Sequence, residues 1–386
     1  MKWLEKLCYA QWPGVVGVFL TLATPALGNE PRLNQLQVIG SHNSYHRAPE
    51  KAVWEMLVSR NPQRAQSLDY THRPLAEQFG KLGIRQVELD VYADPKGGLF
   101  AKPAARAIVQ TQGKDPGEDP DSGGVLGKSG LKIVHVPDID YRTTAPTFVD
   151  ALEQIRAWSA ANRRHVPILI LVELKEDALP GLPTRPVPFG KDEIDSVDAE
   201  ILSVFQRSQI LTPDRVRGTF ASLLESIKSQ GWPALQDVRG MVMFALDNEG
   251  EIRDRYLQDH VALKGRLMFA TVAPDDPAAA WFKVNDPIRS YDRIQKLVKE
   301  GFMVRTRADA DTVQSRKNDP TQREKALASG AQFVSTDYAE PDRRFSDYSV
   351  RFPAGQVARS NPISGDPAWS DLDLETGKPA PVPRKN

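Results

Sequence analysis

Ile168-Leu169-Ile170-Leu171-Val172-Glu173-Leu174-Lys175 has the two-residue period of a β-strand, and its two faces differ. Ile168, Ile170, Val172 and Leu174 form a wholly apolar face, suited to packing under helices. Leu169, Leu171, Glu173 and Lys175 form the other, apolar at the start of the strand and charged at its end. Gln86-Val87-Glu88-Leu89-Asp90-Val91-Tyr92 repeats the arrangement, with Val87, Leu89 and Val91 opposed to Glu88 and Asp90. Strands apolar on both faces belong to parallel sheets covered by helices. Inward charges at their C-terminal ends are what an active site at a barrel mouth requires.

Working outward, eight such runs are predicted as strands: Leu36–Ser41, Ile84–Val91, Leu131–Val136, Ile168–Leu174, Met241–Leu246, Leu267–Val272, Phe302–Thr306 and Phe333–Thr336. Helical patterns separate them near Pro74–Leu82, Thr147–Asn162, Glu193–Gln206, Ser222–Ser229, Tyr291–Glu300 and Gln322–Ser329. Gly83, Gly301 and Gly330 close three of these helices just before a strand, as left-handed caps do. The alternation predicts an α/β fold, a (β/α)8 TIM barrel, with a doubly wound open sheet as the other arrangement it allows. Asp94–Gly130, rich in Gly, Pro and Asp, reads as a long insertion after strand two, a lid or a disordered loop on the catalytic face. The expected organisation is a leader over 1–28, a barrel over 29–352, and an extended or disordered Pro-rich tail over 353–386.

The leader is read from Lys2 and Lys6, the apolar run Val15–Leu20, and Ala26-Leu27-Gly28, with cleavage expected before Asn29. That predicts a secreted or periplasmic protein, and no later stretch is apolar enough to span a bilayer. The only cysteine, Cys8, lies inside the leader, so the mature chain has no thiol chemistry and no disulfide. The 50 basic and 50 acidic side chains balance, which argues against a nucleic-acid binder. A membrane-surface enzyme is compatible with that balance, and a monomer is expected.

Chemistry-bearing residues gather at predicted strand ends: Ser41-His42-Asn43-Ser44, Glu88-Leu89-Asp90, His135, and Glu173. Three carboxylates in one mouth repel each other, so a counter-cation is expected. The all-oxygen set Asn43, Glu88, Asp90 and Glu173 suits calcium or magnesium. Zinc fits less well without cysteine and with both histidines needed elsewhere. The plain alternative is that Glu88 and Asp90 form structural ion pairs with Arg305, Arg307 or Lys175. His42 and His135 can divide proton donation and acceptance across a phosphodiester. His46 reads as a loop or supporting residue; His72, His165 and His260 read as packing residues.

This constellation resembles the catalytic half of phosphatidylinositol-specific phospholipases C, most closely their calcium-dependent bacterial form. Gly40-Ser41-His42-Asn43-Ser44, Glu88-Leu89-Asp90, His135 and Leu171-Val172-Glu173 carry the resemblance. It continues more loosely through Val304-Arg305-Thr306-Arg307-Ala308-Asp309 and Val334-Ser335-Thr336-Asp337-Tyr338. It implies calcium held by Asn43, Glu88, Asp90 and Glu173, catalysis by His42 and His135, and internal attack of the inositol 2-hydroxyl on a phospholipid at a membrane surface. The products implied are diacylglycerol and a cyclic inositol phosphate. Lys175, Arg305, Arg307 and Tyr338 become candidate phosphate or inositol contacts. Nothing in the second half supplies a firm set of residues for ring phosphates, which favours unphosphorylated phosphatidylinositol.

A glycerophosphodiester phosphodiesterase is the nearest rival, but that family typically has His-Arg-Gly and His-Asp where this chain has His42-Asn43-Ser44 and His135-Val136. A non-catalytic lipid- or sugar-binding barrel is the rival of another class. Gly127-Lys128-Ser129 imitates a phosphate-binding loop, yet it lacks the upstream glycine and precedes a strand. Trp281-Phe282 reads either as a helix packing pair or as a tip dipping into a membrane interface.

Overall fold

The computed structural model describes residues 30–353 and 355–380; the leader expected over 1–28 lies outside them. Eight parallel strands make the barrel: β1 (Leu36–Ser41), β2 (Gln86–Tyr92), β4 (Ile168–Leu174), β5 (Val242–Leu246), β6 (Met268–Ala270), β7 (Trp281–Lys283), β8 (Met303–Arg307) and β9 (Phe333–Thr336). Two short antiparallel strands, β3 (Lys132–Ile133) and β10 (Ala358–Ser360), attach to β2 and β1. The hydrogen-bonded order is β6-β5-β4-β2-β1-β9-β8-β7. Helices alternate with the strands, and β4 is buried along nearly its whole length, as its two apolar faces require.

Two seams interrupt the ladder. β1 and β2 share a single registered pair, Gly40 with Gln86. Above it β3 lies along Val91 and Tyr92; below it β10 lies along Leu36–Val38. Each fills the free edge that the stagger leaves. Between β6 and β7 there is no backbone ladder among the described residues; instead the Lys283 N–H donates to the Thr271 hydroxyl at 2.8 Å.

The helices form where local chemistry specifies them. Thr147 and Ser222 accept from the N–H groups of Asp150 and Glu225, capping Phe148–Ala161 and Leu223–Ser229. Gly83 adopts φ 71° where helix Leu75–Leu82 turns into β2, a conformation that costs a residue with a Cβ about 1 kcal/mol or more.

Three expectations are corrected. The run Leu131–Val136 is not a barrel strand: within it only Lys132–Ile133 pairs with a barrel strand, antiparallel, and the chain then turns back through Pro137 and Asp138, the latter at φ 70°. Trp281–Lys283 takes the vacant place in the barrel, so Trp281 and Phe282 are buried core residues and not a membrane tip. The insertion after β2 is ordered, carrying helix Ala104–Thr111. It packs with helix Lys51–Arg60 on a second apolar cluster that includes Val53, Met56, Phe100, Val134 and Ile139.

The tail is likewise ordered over 355–380. After β10 it returns to place Glu375 on Arg85, whose side chain is 3% exposed. Removing one partner of a buried ion pair costs about 3 kcal/mol or more. Glu375→Gln is therefore expected to lower the urea-unfolding free energy by roughly that amount; an unchanged midpoint would show the tail to be dispensable to the barrel.

Candidate active site

The turn after β1 is built by a buried polar network. Ser44 receives the Glu88 N–H on its hydroxyl at 2.8 Å and gives its own N–H to the Glu88 carbonyl at 2.9 Å. Gln78, from helix Leu75–Leu82, accepts from the Ser41 hydroxyl at 2.7 Å and donates to the Ser44 carbonyl at 2.6 Å. Gly40 is required because the Gln86 side chain crosses its Cα, where a Cβ would collide. The turn leaves Asn43 at φ 44° beside the end of β2.

The ligating atoms of Glu88, Asp90 and Glu173 lie within 4.8 Å of one another. Asp90 is fully buried, yet neither carboxylate oxygen has a hydrogen bond among the described residues; Lys175 Nζ stands 3.3 Å from one of them. Asn43 donates through Nδ2 to the Tyr70 hydroxyl at 3.0 Å, while its buried Oδ1 has no partner. Burial pushes the Glu88 carboxyl up to about 7 against the pull of Arg305, with which it is ion-paired. Burial likewise raises Asp90 and Glu173 despite Lys175. The anticipated ion pairs Glu88–Arg305 and Asp90–Lys175 thus both form, but they leave buried oxygens unsatisfied. Such atoms cost free energy unless a cation or donor reaches them. An all-oxygen set of this kind fits a hard divalent ion.

Both candidate histidines are oriented by buried aspartates, Asp337 at a strand end and Asp140 in a turn that sequence reading missed. His42 Nδ1 lies 2.7 Å from Asp337 Oδ1, and Arg307 bridges to Asp337 Oδ2 at 3.2 Å. Arg307 also approaches His42 Nε2 at 3.2 Å. A guanidinium can only donate, so Nε2 carries the lone pair and Nδ1 the proton. Burial and then Arg307 lower the His42 pKa to about 3 against the opposing pull of Asp337.

His135 reaches the mouth by a different route, from the returning arm after β3. Its Nδ1 lies 2.6 Å from Asp140 Oδ2, which also meets His46 Nε2 at 2.9 Å. His46 is wholly buried, bonded through Nδ1 to the Tyr70 carbonyl at 3.1 Å and stacked on the Tyr70 ring at 4.2 Å. It is a supporting residue for Asp140, as its place in a loop suggested. His46, His135 and Asp140 are close enough to hold a metal. They differ from the carboxylate set in that their hydrogen bonds to one another already satisfy the buried carboxylate. Burial lowers the His135 pKa, and Asp140 opposes that shift.

The remaining candidates divide. Lys175 and Arg307 line the carboxylates and His42, with side chains 17% and 15% exposed. Arg305 is fully buried between Glu88 and Asn285. Tyr338 is 3% exposed with its ring edge-on to Tyr348, so it offers no open face for stacking on a sugar ring. His72 donates to the His42 carbonyl at 2.7 Å, and His165 bonds Ser159 and its own neighbour's backbone. Asp337 directly follows a strand and was visible as a strand-end acid. Asp140 and Gln78 sit in a turn and a helix, where no local pattern marks them.

The family described as Phosphoinositide phospholipase C, Ca2+-dependent, matches residues 31–362. No curated protein matches. Among solved structures, the chain is similar to a calcium-dependent phosphoinositol-specific phospholipase C from the Gram-negative bacterium Pseudomonas sp.. That similarity has 15% identity and a TM-score of 0.49, covering 87% of this chain and 97% of that one. It is also similar to a Ca2+-dependent phosphatidylinositol-specific phospholipase C from Streptomyces antibioticus, with 16% identity and a TM-score of 0.47, covering 80% and 95%. On the match across residues 31–362, the chain belongs to the calcium-dependent phosphoinositide phospholipase C family and is an enzyme whose cofactor is calcium.

Proposed function

We propose that the mature enzyme, exported after loss of residues 1–28, cleaves phosphatidylinositol to diacylglycerol and a cyclic inositol phosphate, with His42 and His135 as its catalytic histidines. The observation that carries the reading is the pairing of two aspartate-oriented imidazoles with a carboxylate set whose buried oxygens lack partners. Asn43, Glu88, Asp90 and Glu173 would hold calcium, which supplies a lowered pKa for the attacking hydroxyl and charge stabilisation at the phosphate. Lys175 and Arg307 would bind the phosphate and headgroup; Arg305 and Tyr338, both buried, would act through the residues they hold, Arg305 on Glu88 and Tyr338 by packing.

The imidazoles have separate roles in this reading. Arg307 donates to the His42 lone pair in the free enzyme. A phosphate oxygen is a stronger acceptor for a guanidinium, so substrate binding frees Nε2. His42 then takes the proton from the inositol 2-hydroxyl as its oxygen bonds to phosphorus. Asp337 stabilises the resulting imidazolium. The bond from phosphorus to the glycerol oxygen breaks, and His135 delivers the proton that oxygen needs. Asp140 supports that role because a carboxylate on Nδ1 favours the doubly protonated ring.

The central test is incubation of the enzyme with phosphatidylinositol vesicles, with calcium and with a chelator. Cyclic inositol phosphate should appear only with calcium; its absence in calcium, or turnover that ignores chelation, would refute the reading. His42→Ala and His135→Ala should each lose about 10²–10⁴-fold in kcat. A substrate with a low-pKa phenol leaving group should restore activity to His135→Ala and not to His42→Ala, since only the acid becomes unnecessary. Equal restoration would remove the division of roles. Asp140→Asn should lower kcat about tenfold or more while leaving KM nearly unchanged, because it misorients an imidazole without touching the ground-state contacts.

A further inference from the structure

Asp247 directly follows β5, and its N–H donates to the Val172 carbonyl at 2.8 Å, which sets it beside Glu173 at the mouth. The residue is 8% exposed. Its Oδ2 accepts from Lys283 Nζ at 2.7 Å, while its buried Oδ1 has no hydrogen-bond partner among the described residues. Lys283 ends β7, in register with Arg305 on β8. After burial, the Asp247 charge is the strongest influence raising the Glu88 and Glu173 carboxyls, so it faces them across the same space. The strand order places β5 and β7 on either side of β6, diametrically across the barrel from β1 and its His42.

This pair has no part in the chemistry proposed above. Among the described residues, the acids close enough together to share an ion are Glu88, Asp90 and Glu173, and Asp247 is not in that set. A carboxylate oxygen can accept a hydrogen bond but cannot donate one. Oδ1 therefore suits a hydroxyl and repels a phosphate. When C1 of an inositol ring carries the phosphate near His42 and C2 the attacking hydroxyl, the ring carbons farthest from them are C4 and C5.

We propose that Asp247, held by Lys283, is a specificity-determining residue that accepts a hydrogen bond from the far-side ring hydroxyls and rejects headgroups phosphorylated there. This rests on the proposed function and extends it from a reaction to a choice among lipids. Placing a ring phosphate against the carboxylate juxtaposes like charges in a partly desolvated mouth, which disfavours binding of that headgroup. The same substitution would also leave the phosphate without a donor from Oδ1.

The test compares wild type and Asp247→Asn on mixed vesicles containing phosphatidylinositol or phosphatidylinositol 4-phosphate, with calcium affinity and myo-inositol affinity measured separately by calorimetry. Wild type should prefer the unphosphorylated lipid by about 100-fold in kcat/KM, and Asp247→Asn should narrow that preference at least about tenfold, chiefly through KM. Calcium affinity should be unchanged in Asp247→Asn, and myo-inositol affinity should fall in Asp247→Ala, which removes the acceptor that asparagine keeps. A preference identical in wild type and variant would overturn the proposal. So would a tenfold loss of calcium affinity in Asp247→Asn, which would make the residue a metal ligand. Absence of turnover on either lipid by wild type would instead strike the underlying reading. If Asp247→Asn loses activity outright, undiminished myo-inositol binding by Asp247→Ala would still refute a ring contact.

Discussion

Everything at the mouth of this barrel follows from the crowding of carboxylates in a space with little water. Glu88, Asp90, Glu173 and Asp247 arrive on neighbouring strands, and Asp337 closes the ring from β9. Left alone, that much buried like charge would be untenable. The fold answers with Arg305, Arg307, Lys175 and Lys283, each on an inward strand end and each bonded to one or two of the acids. The answer is incomplete by design of the chemistry: oxygens of Asp90, Asn43 and Asp247 remain without hydrogen bonds. A family that depends on calcium needs that deficit, because a fully neutralised mouth would have nothing to offer a divalent ion.

The two imidazoles share one solution reached by different means. Each bonds through Nδ1 to a buried aspartate, which directs Nε2 outward and fixes the tautomer. The His42 aspartate comes from a strand nearly three hundred residues later, so barrel closure itself aligns the pair. The His135 aspartate comes from the same tight turn, five residues on, and is braced from behind by His46 and Tyr70. One imidazole is thereby held by the global fold and the other by a local excursion from it.

Much of this was legible in the residues. Glu88, Asp90 and Glu173 were visible because a two-residue period puts acids on an otherwise apolar inward face, and burial of neighbouring positions then fixes their direction. His42 was visible as a strand-end residue. His135 was identified, but on a strand that does not exist in the barrel; its apolar neighbours serve the cluster beneath the insertion instead. Trp281–Lys283 was overlooked because three residues are too few to display a period. Asp140, Lys283 and Asp247 escaped for another reason: their meaning lies in partners brought together only by tertiary structure.

The two interrupted seams divide the barrel into halves with very different chain economy. β2, β4, β5 and β6 come from one continuous stretch, residues 86–270, whose strands pair with near neighbours in sequence. β7, β8 and β9 must recruit β1 from the far end of the chain, and β1 further waits for β10 at residues 358–360. Contacts of such long sequence separation form late, because loop closure must precede any reward. The acids proposed to hold calcium therefore belong to the portion able to organise early. His42 and Asp337 belong to the portion that can assemble only when nearly the entire polypeptide is present. An incompletely folded chain would present the acids without the imidazole proposed to work beside them.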